Sequence, residues 1–174
     1  MKRFSYLAIF VILLVFLSAP VAFGQALDGK WFQLKVGFKG YAFGTGGLDK
    51  ISGSATNYML FTWDNINSVY NYSIYQSDGI AIPQDLADAS FSTDLLEYEE
   101  TAINVRMAFG RDDTNYINTN LTALIKIKRD SQSALKSATF TSLGCQVYDG
   151  EMDGNTAFGG CTIKGKTIQF PPFL

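Results

Sequence analysis

The sequence has 174 residues, 47% of them hydrophobic and 17% charged, with a formal net charge of −2 and no histidine. Without imidazole there is no Ser-His-Asp or Cys-His catalysis, no histidine-bound zinc and no histidine pH switch, and two cysteines are too few for a structural zinc cluster. The mildly acidic balance argues against nucleic acid as a partner, because that binding rests on clustered Lys and Arg.

Lys2 and Arg3 precede an apolar run from Leu7 to Leu17, followed by Ser18-Ala19-Pro20 and small residues up to Gly24. A basic start, a short apolar core and small residues before a cut are the layout of a secretory signal peptide. The run falls short of the roughly 20 residues needed to span a bilayer. Residues 1–24 are therefore read as a signal peptide cleaved before Gln25, with cleavage after Ala26 or an uncleaved anchor as alternatives. Residues 25–174 then form one secreted or periplasmic domain with no further membrane span. That domain is more acidic than the full chain, since Lys2 and Arg3 leave with the signal.

The rest of the chain alternates with period two, as half-buried strands do. In Gly29 to Tyr41, Phe32, Leu34, Val36 and Phe38 share one face, and Trp31, Gln33, Lys35 and Lys39 share the other. Further strands are expected near 53–63, 69–76 and 79–82. A hairpin with residues 64–68 as its loop would set Trp63 opposite Val69 and Leu60 opposite Tyr72. Residues 93–100 are a helix or a loop. Ile103, Val105, Met107 and Phe109 then alternate with Asn104 and Arg106, and Leu121, Ala123, Ile125 and Ile127 with Thr122, Lys126 and Lys128. Strands near 136–148 and 157–170 complete the set, and Pro171-Pro172 ends the last one. Gly46-Gly47, Asp78-Gly79, Asp149-Gly150 and Asp153-Gly154 are expected as turns.

Eight or more short strands at this spacing predict an all-β fold with little helix, either an antiparallel barrel or a sandwich. Gly29-Lys30-Trp31, at the start of the first strand, resembles the Gly-x-Trp opening of lipocalins and other calycins. The resemblance implies an up-and-down barrel, closed at one end by the Trp, with a small apolar ligand inside. Phe32, Leu34, Val36, Phe38, Ile103, Val105, Met107 and Phe109 would line that interior.

Cys145 and Cys161 are the only cysteines, and in an oxidising compartment a disulfide is the default. Between them, Asp149, Glu151, Asp153 and Asn155 place oxygen ligands at alternate positions beside Gly154. Alternate side chains can converge on one hard cation, so these four are a candidate Ca2+ loop, with a polar Asp-Gly turn as the alternative. An EF-hand would need an acid at its twelfth position, which here is Gly160.

Trp31, Phe61, Trp63, Tyr70, Tyr72 and Tyr75 are the candidate ligand-binding aromatics, since flat rings stack on sugars; cross-strand packing is the alternative. Residues 51–105 hold eight acids and no Lys or Arg, whereas Lys126, Lys128, Arg129 and Lys136 cluster later. This asymmetry offers either complementary faces for self-association or simply solvated surfaces. Glu97, Glu99 and Glu100 are close in sequence, but nothing desolvates them as glycoside hydrolysis requires.

The sequence therefore predicts a non-enzymatic secreted or periplasmic binding domain. A small apolar ligand in a barrel is the first expectation. A glycan- or envelope-binding sandwich is the second, and a self-associating structural module the third.

Overall fold

The computed structural model describes residues 26–84, 91–92, 99–112 and 114–174, the pair 91–92 by its backbone alone. The signal peptide and most of the segment expected as helix or loop at 93–100 lie outside the described residues. The fold is all-β, and the alternating stretches extend into long antiparallel strands. These are β1 (Trp31–Gly44), β2 (Gly47–Asp64), β3 (Val69–Tyr75), β4 (Ala81–Ile82), β5 (Phe91–Ser92), β6 (Glu100–Asp112), β7 (Asn115–Arg129), β8 (Leu135–Met152) and β9 (Asn155–Ile168).

The strands form one sheet in the order β4-β3-β2-β1-β9-β8-β7-β6, with β5 pairing β3 off this path. Along this path neighbours in the sheet are neighbours in sequence except β1 and β9, whose pairing joins the two ends of the described chain. Phe32, Leu34, Val36 and Phe38 of β1 and Ile103, Val105, Met107 and Phe109 of β6 are all buried in one hydrophobic cluster.

The sheet curls, but its outer strands do not close it with a backbone ladder. Side chains bridge the gap between β2–β4 and β6 instead. Asn57 Nδ2 donates to Gly110 O at 2.7 Å, and the Tyr72 hydroxyl donates to Arg106 O. Gln84 Nε2 donates to Ala108 O at 3.1 Å while its Oε1 accepts from Ala108 N at 2.9 Å. The Gln84 amide thus stands in for one residue of a missing strand. It also occupies backbone groups of β6 through which another chain would otherwise pair.

Two local expectations are corrected. In the β2–β3 hairpin Trp63 pairs with Tyr70, Phe61 with Tyr72 and Asp64 with Val69, one residue out of the expected register. Asp64 shifts it. Its Oδ1 accepts from the Ile66 and Asn67 amides and its Oδ2 from Asn67 Nδ2, so Asp64 ends the strand and caps the turn. Asp149-Gly150 is likewise no turn but part of β8, where register shifts interrupt pairing with both neighbouring strands. A Cβ on Gly150 would lie 2.9 Å from Tyr116 O, so glycine there permits the close approach of β7.

Cys145 and Cys161 form the disulfide expected from sequence, with Cα atoms 5.0 Å apart. The β8–β9 ladder has no paired residues between Thr141 and Gln146, and the disulfide ties the strands within that interruption. A disulfide-bonded β domain fits an extracellular, oxidising location. No helix among the described residues is long and apolar enough to cross a membrane.

Candidate functional site

The two ends of the curled sheet differ. At one end the turn at 26–29 folds inward and buries Leu27 completely. Leu27 N donates to the Tyr70 hydroxyl at 3.0 Å, and Gly29 N donates to Phe61 O at 2.9 Å. Phe61 packs edge-on against Phe32 and Tyr70 just beneath, with ring centroids 5.3 and 6.1 Å away. Leu27, and not Trp31, is the residue inserted at this end. Burial pushes the Tyr70 phenol up to about 12.

That shift raises the folded-state value above the unfolded one near 10, so its stabilising contribution is complete below pH 10 and is lost as the pH rises towards 12. The unfolding free energy should therefore decline over that window, and Tyr70→Phe should remove this part of the decline. Denaturant unfolding of both proteins at pH 9, 10, 11 and 12 checks it.

At the opposite end lies a cavity of about 480 Å³, open to solvent between the β1–β2, β6–β7 and β8–β9 hairpins. The register explains the space. Val36 and Phe38 point inward from β1, but their partners on β2 are Ala55 and Gly53. A Cβ on Gly53 would touch only the Met152 side chain, at 3.7 Å, so small residues on β2 leave the interior unfilled here. Ile51, Phe109, Ile117 and Met152 complete the apolar walls, while Asp49, Lys50, Arg111 and Asp153 stand on the rim.

Asp112 holds the β6–β7 side of this mouth. Its Oδ1 accepts from Thr114 N, Thr114 Oγ1 and Asn115 Nδ2 at 3.1, 2.9 and 2.8 Å. These bonds, Asn115 foremost, hold the carboxyl far below its ordinary range.

The aromatics singled out in the sequence do not form one platform. Phe61, Tyr70 and Tyr72 are buried in the core, a correction that follows from the strand alternation, which points all three inward. Trp63 is half-buried against Tyr70, at 5.1 Å between centroids. Trp31 and Tyr75 meet at 5.3 Å on the outer face, where the C-terminal Phe173 ring lies against both of them and against Tyr58. The prolines that end β9 thus lead a tail back over these rings.

The four oxygen-bearing residues of the candidate Ca2+ loop are also dispersed. Asp149 Oδ2 accepts from Asn118 Nδ2 on β7 at 3.1 Å, and Glu151 lies in the strand between Tyr116 and Thr156. Asp153 and Gly154, with φ of 53° and 80°, make the two-residue turn into β9, which is the polar-turn alternative. Asn155 Nδ2 points back to Met152 O and Asp153 O. Among the described residues no group of three or more acidic or cysteine side chains is placed to hold a metal ion.

Sequence reasoning missed Asn57 and the cavity. Asn57 is fully buried, and among the described residues its Oδ1 has no hydrogen-bond partner while its Nδ2 joins β2 to Gly110 O and Tyr75 O. The signal was there, a polar residue in the inward row Ala55, Asn57, Met59, Phe61. The cavity's signal was the run of small residues Gly53 and Ala55 in the same row. The chain matches no protein-family model, no curated protein and no solved structure.

Proposed function

We propose that the protein is a non-enzymatic binding domain, secreted or periplasmic, that holds a small apolar ligand in the cavity at the open end of its sheet. The observation that carries this reading is the cavity itself, about 480 Å³ between hairpins whose inward side chains are apolar. It falls in the size range of ligand sites, which combine apolar walls with a few polar groups at the mouth. Val36, Phe38, Ile51, Phe109, Ile117 and Met152 would bury the ligand's apolar body, and Arg111 and Asn115 would face its more polar end. The calycin resemblance at Gly29-Lys30-Trp31 agrees with a ligand inside a curled antiparallel sheet, although here the free space lies at the end away from Trp31.

Calorimetric titration with dodecanoate tests the reading. The native protein should bind it, and Gly53→Leu and Ala55→Phe, which extend side chains into the cavity, should each weaken binding by about tenfold or more, equivalent to at least about 1.4 kcal/mol. Both variants should melt close to the native temperature, since they fill space rather than remove contacts. Equal affinity in all three proteins, or no heat with any of them, would refute the cavity as the site. Neither Trp31 nor Trp63 lines the cavity, so tryptophan fluorescence is not the reporter to use.

A further inference from the structure

The outer face of β1, β2 and β9 carries a charge pattern that the interior reading does not use. From Gln33 to Phe43, the outward positions of β1 and those in register on β2 and β9 include Lys35, Lys39, Lys50, Lys164 and Lys166 and no acid. All five lysines are exposed, and none makes an ion pair or hydrogen bond to a described residue. The first acid beside this face is Glu151 on β8, opposite Thr156 at its far end. A cationic strip of this kind on an acidic protein is a complementary surface for a polyanion.

Its relief is equally ordered. Lys35 pairs across the ladder with Lys164, and Lys39 follows four residues later, about 14 Å along the strand. Between them Gly37 faces Ser54 and Thr162, and Lys39 itself lies between Ser52 and Gly160. The floor of the strip is thus low and lined with hydroxyls. At one end Tyr41 and Phe158 stack with centroids 6.0 Å apart and planes 26° from parallel, 38% and 44% exposed.

We infer that this face binds an acidic polysaccharide, an extended chain of carboxylated or sulfated sugars. Its acid groups would pair with Lys35, Lys39, Lys164 and Lys166, its hydroxyls would bond to the serines and threonines of the floor, and one ring would pack on Tyr41 and Phe158. A lipid surface is the poorer match, because the exposed apolar side chains are confined to one end while lysines and hydroxyls run the length of the strip. Nucleic acid is the poorer match for a disulfide-bonded domain.

The test is electrophoresis of the full domain through gels containing alginate, a linear polyuronate, or dextran, a neutral glucan. Flotation with phosphatidylglycerol vesicles and a duplex DNA shift run alongside. Retardation by alginate alone, weakened by salt, is expected. Lys35→Glu with Lys39→Glu should weaken it about tenfold, and so should the milder Lys39→Gln with Lys164→Gln. Tyr41→Ala, which leaves the charge unchanged, should weaken it about threefold. No retardation by alginate, an unchanged affinity in the lysine variants, or tighter capture by vesicles or DNA would overturn the inference. An unchanged affinity in Tyr41→Ala would also overturn it, as it would reduce the contact to ion exchange.

Discussion

Phe140→Ala should lower the unfolding free energy by about 3–5 kcal/mol, as expected for the loss of a fully buried aromatic ring. Phe140 is completely buried on β8, paired with Ile125 on one side and Gly165 on the other. Gly165 has no side chain with which to refill the hole. A Cβ there would meet Leu34 Cδ2 at 2.4 Å and Phe140 Cβ at 3.3 Å, so the space above this glycine is already taken by its neighbours. Backbone rigidity in the surrounding ladders limits collapse, which places the expected loss in the upper part of the range for core truncations. Urea unfolding followed by circular dichroism measures it. A loss below about 1 kcal/mol would mean that this part of the core is loosely packed.

The Cys145–Cys161 disulfide is the second large contribution. Its sequence separation is 16, and the chain-entropy model assigns a closed loop of that length about 3 kcal/mol. Its position adds a local role. The ladder between β8 and β9 is interrupted beside the disulfide, so fewer backbone bonds hold the strands there than elsewhere. The double variant Cys145→Ser/Cys161→Ser should lose about 3 kcal/mol in urea unfolding. Amide exchange should accelerate first at Gln146, Val147, Gly159 and Gly160, the pairs next to the interruption. Exchange that rises uniformly over all strands would instead show that the bond acts only on the unfolded chain.

Much of the fold was legible because its signal is local. Alternation places Phe32 to Phe38, Ile103 to Phe109 and Leu121 to Ile127 on inward faces without reference to any partner, and the structure buries them all. The disulfide expectation for Cys145–Cys161 needs only the count of cysteines and the expected signal peptide that sends the chain to an oxidising compartment.

The misreadings share one cause, a dependence on geometry between distant residues. The β2–β3 register turned on whether Asp64 belongs to the strand or the loop, and a single residue reverses every cross-strand pair. Asp149-Gly150 has the composition of a turn, yet it lies in β8 because β7 passes too close for a side chain. The aromatic density from Tyr58 to Tyr75 reads as a platform only if the rings share a face. Alternation divides them, and the tail residue Phe173, about a hundred positions away, covers part of the outer set. The bridging roles of Gln84 and Asn57 depend on how far the sheet curls, which no local pattern encodes.

The cavity was legible in outline, since Gly53 and Ala55 interrupt an inward row that otherwise carries large side chains. What the sequence lacked was the placement of Phe38, Phe109, Ile117 and Met152 as walls around that gap and not as its filling.

A ligand entering the open end of the sheet should show itself in methyl NMR spectra recorded during titration with dodecanoate. Shifts are expected at the methyls of Val36, Ile51, Ile117 and Met152, which line the cavity, with Leu27 and Ile74 unmoved. Spectra that do not change, or changes centred on the closed end around Leu27, would rule out entry there.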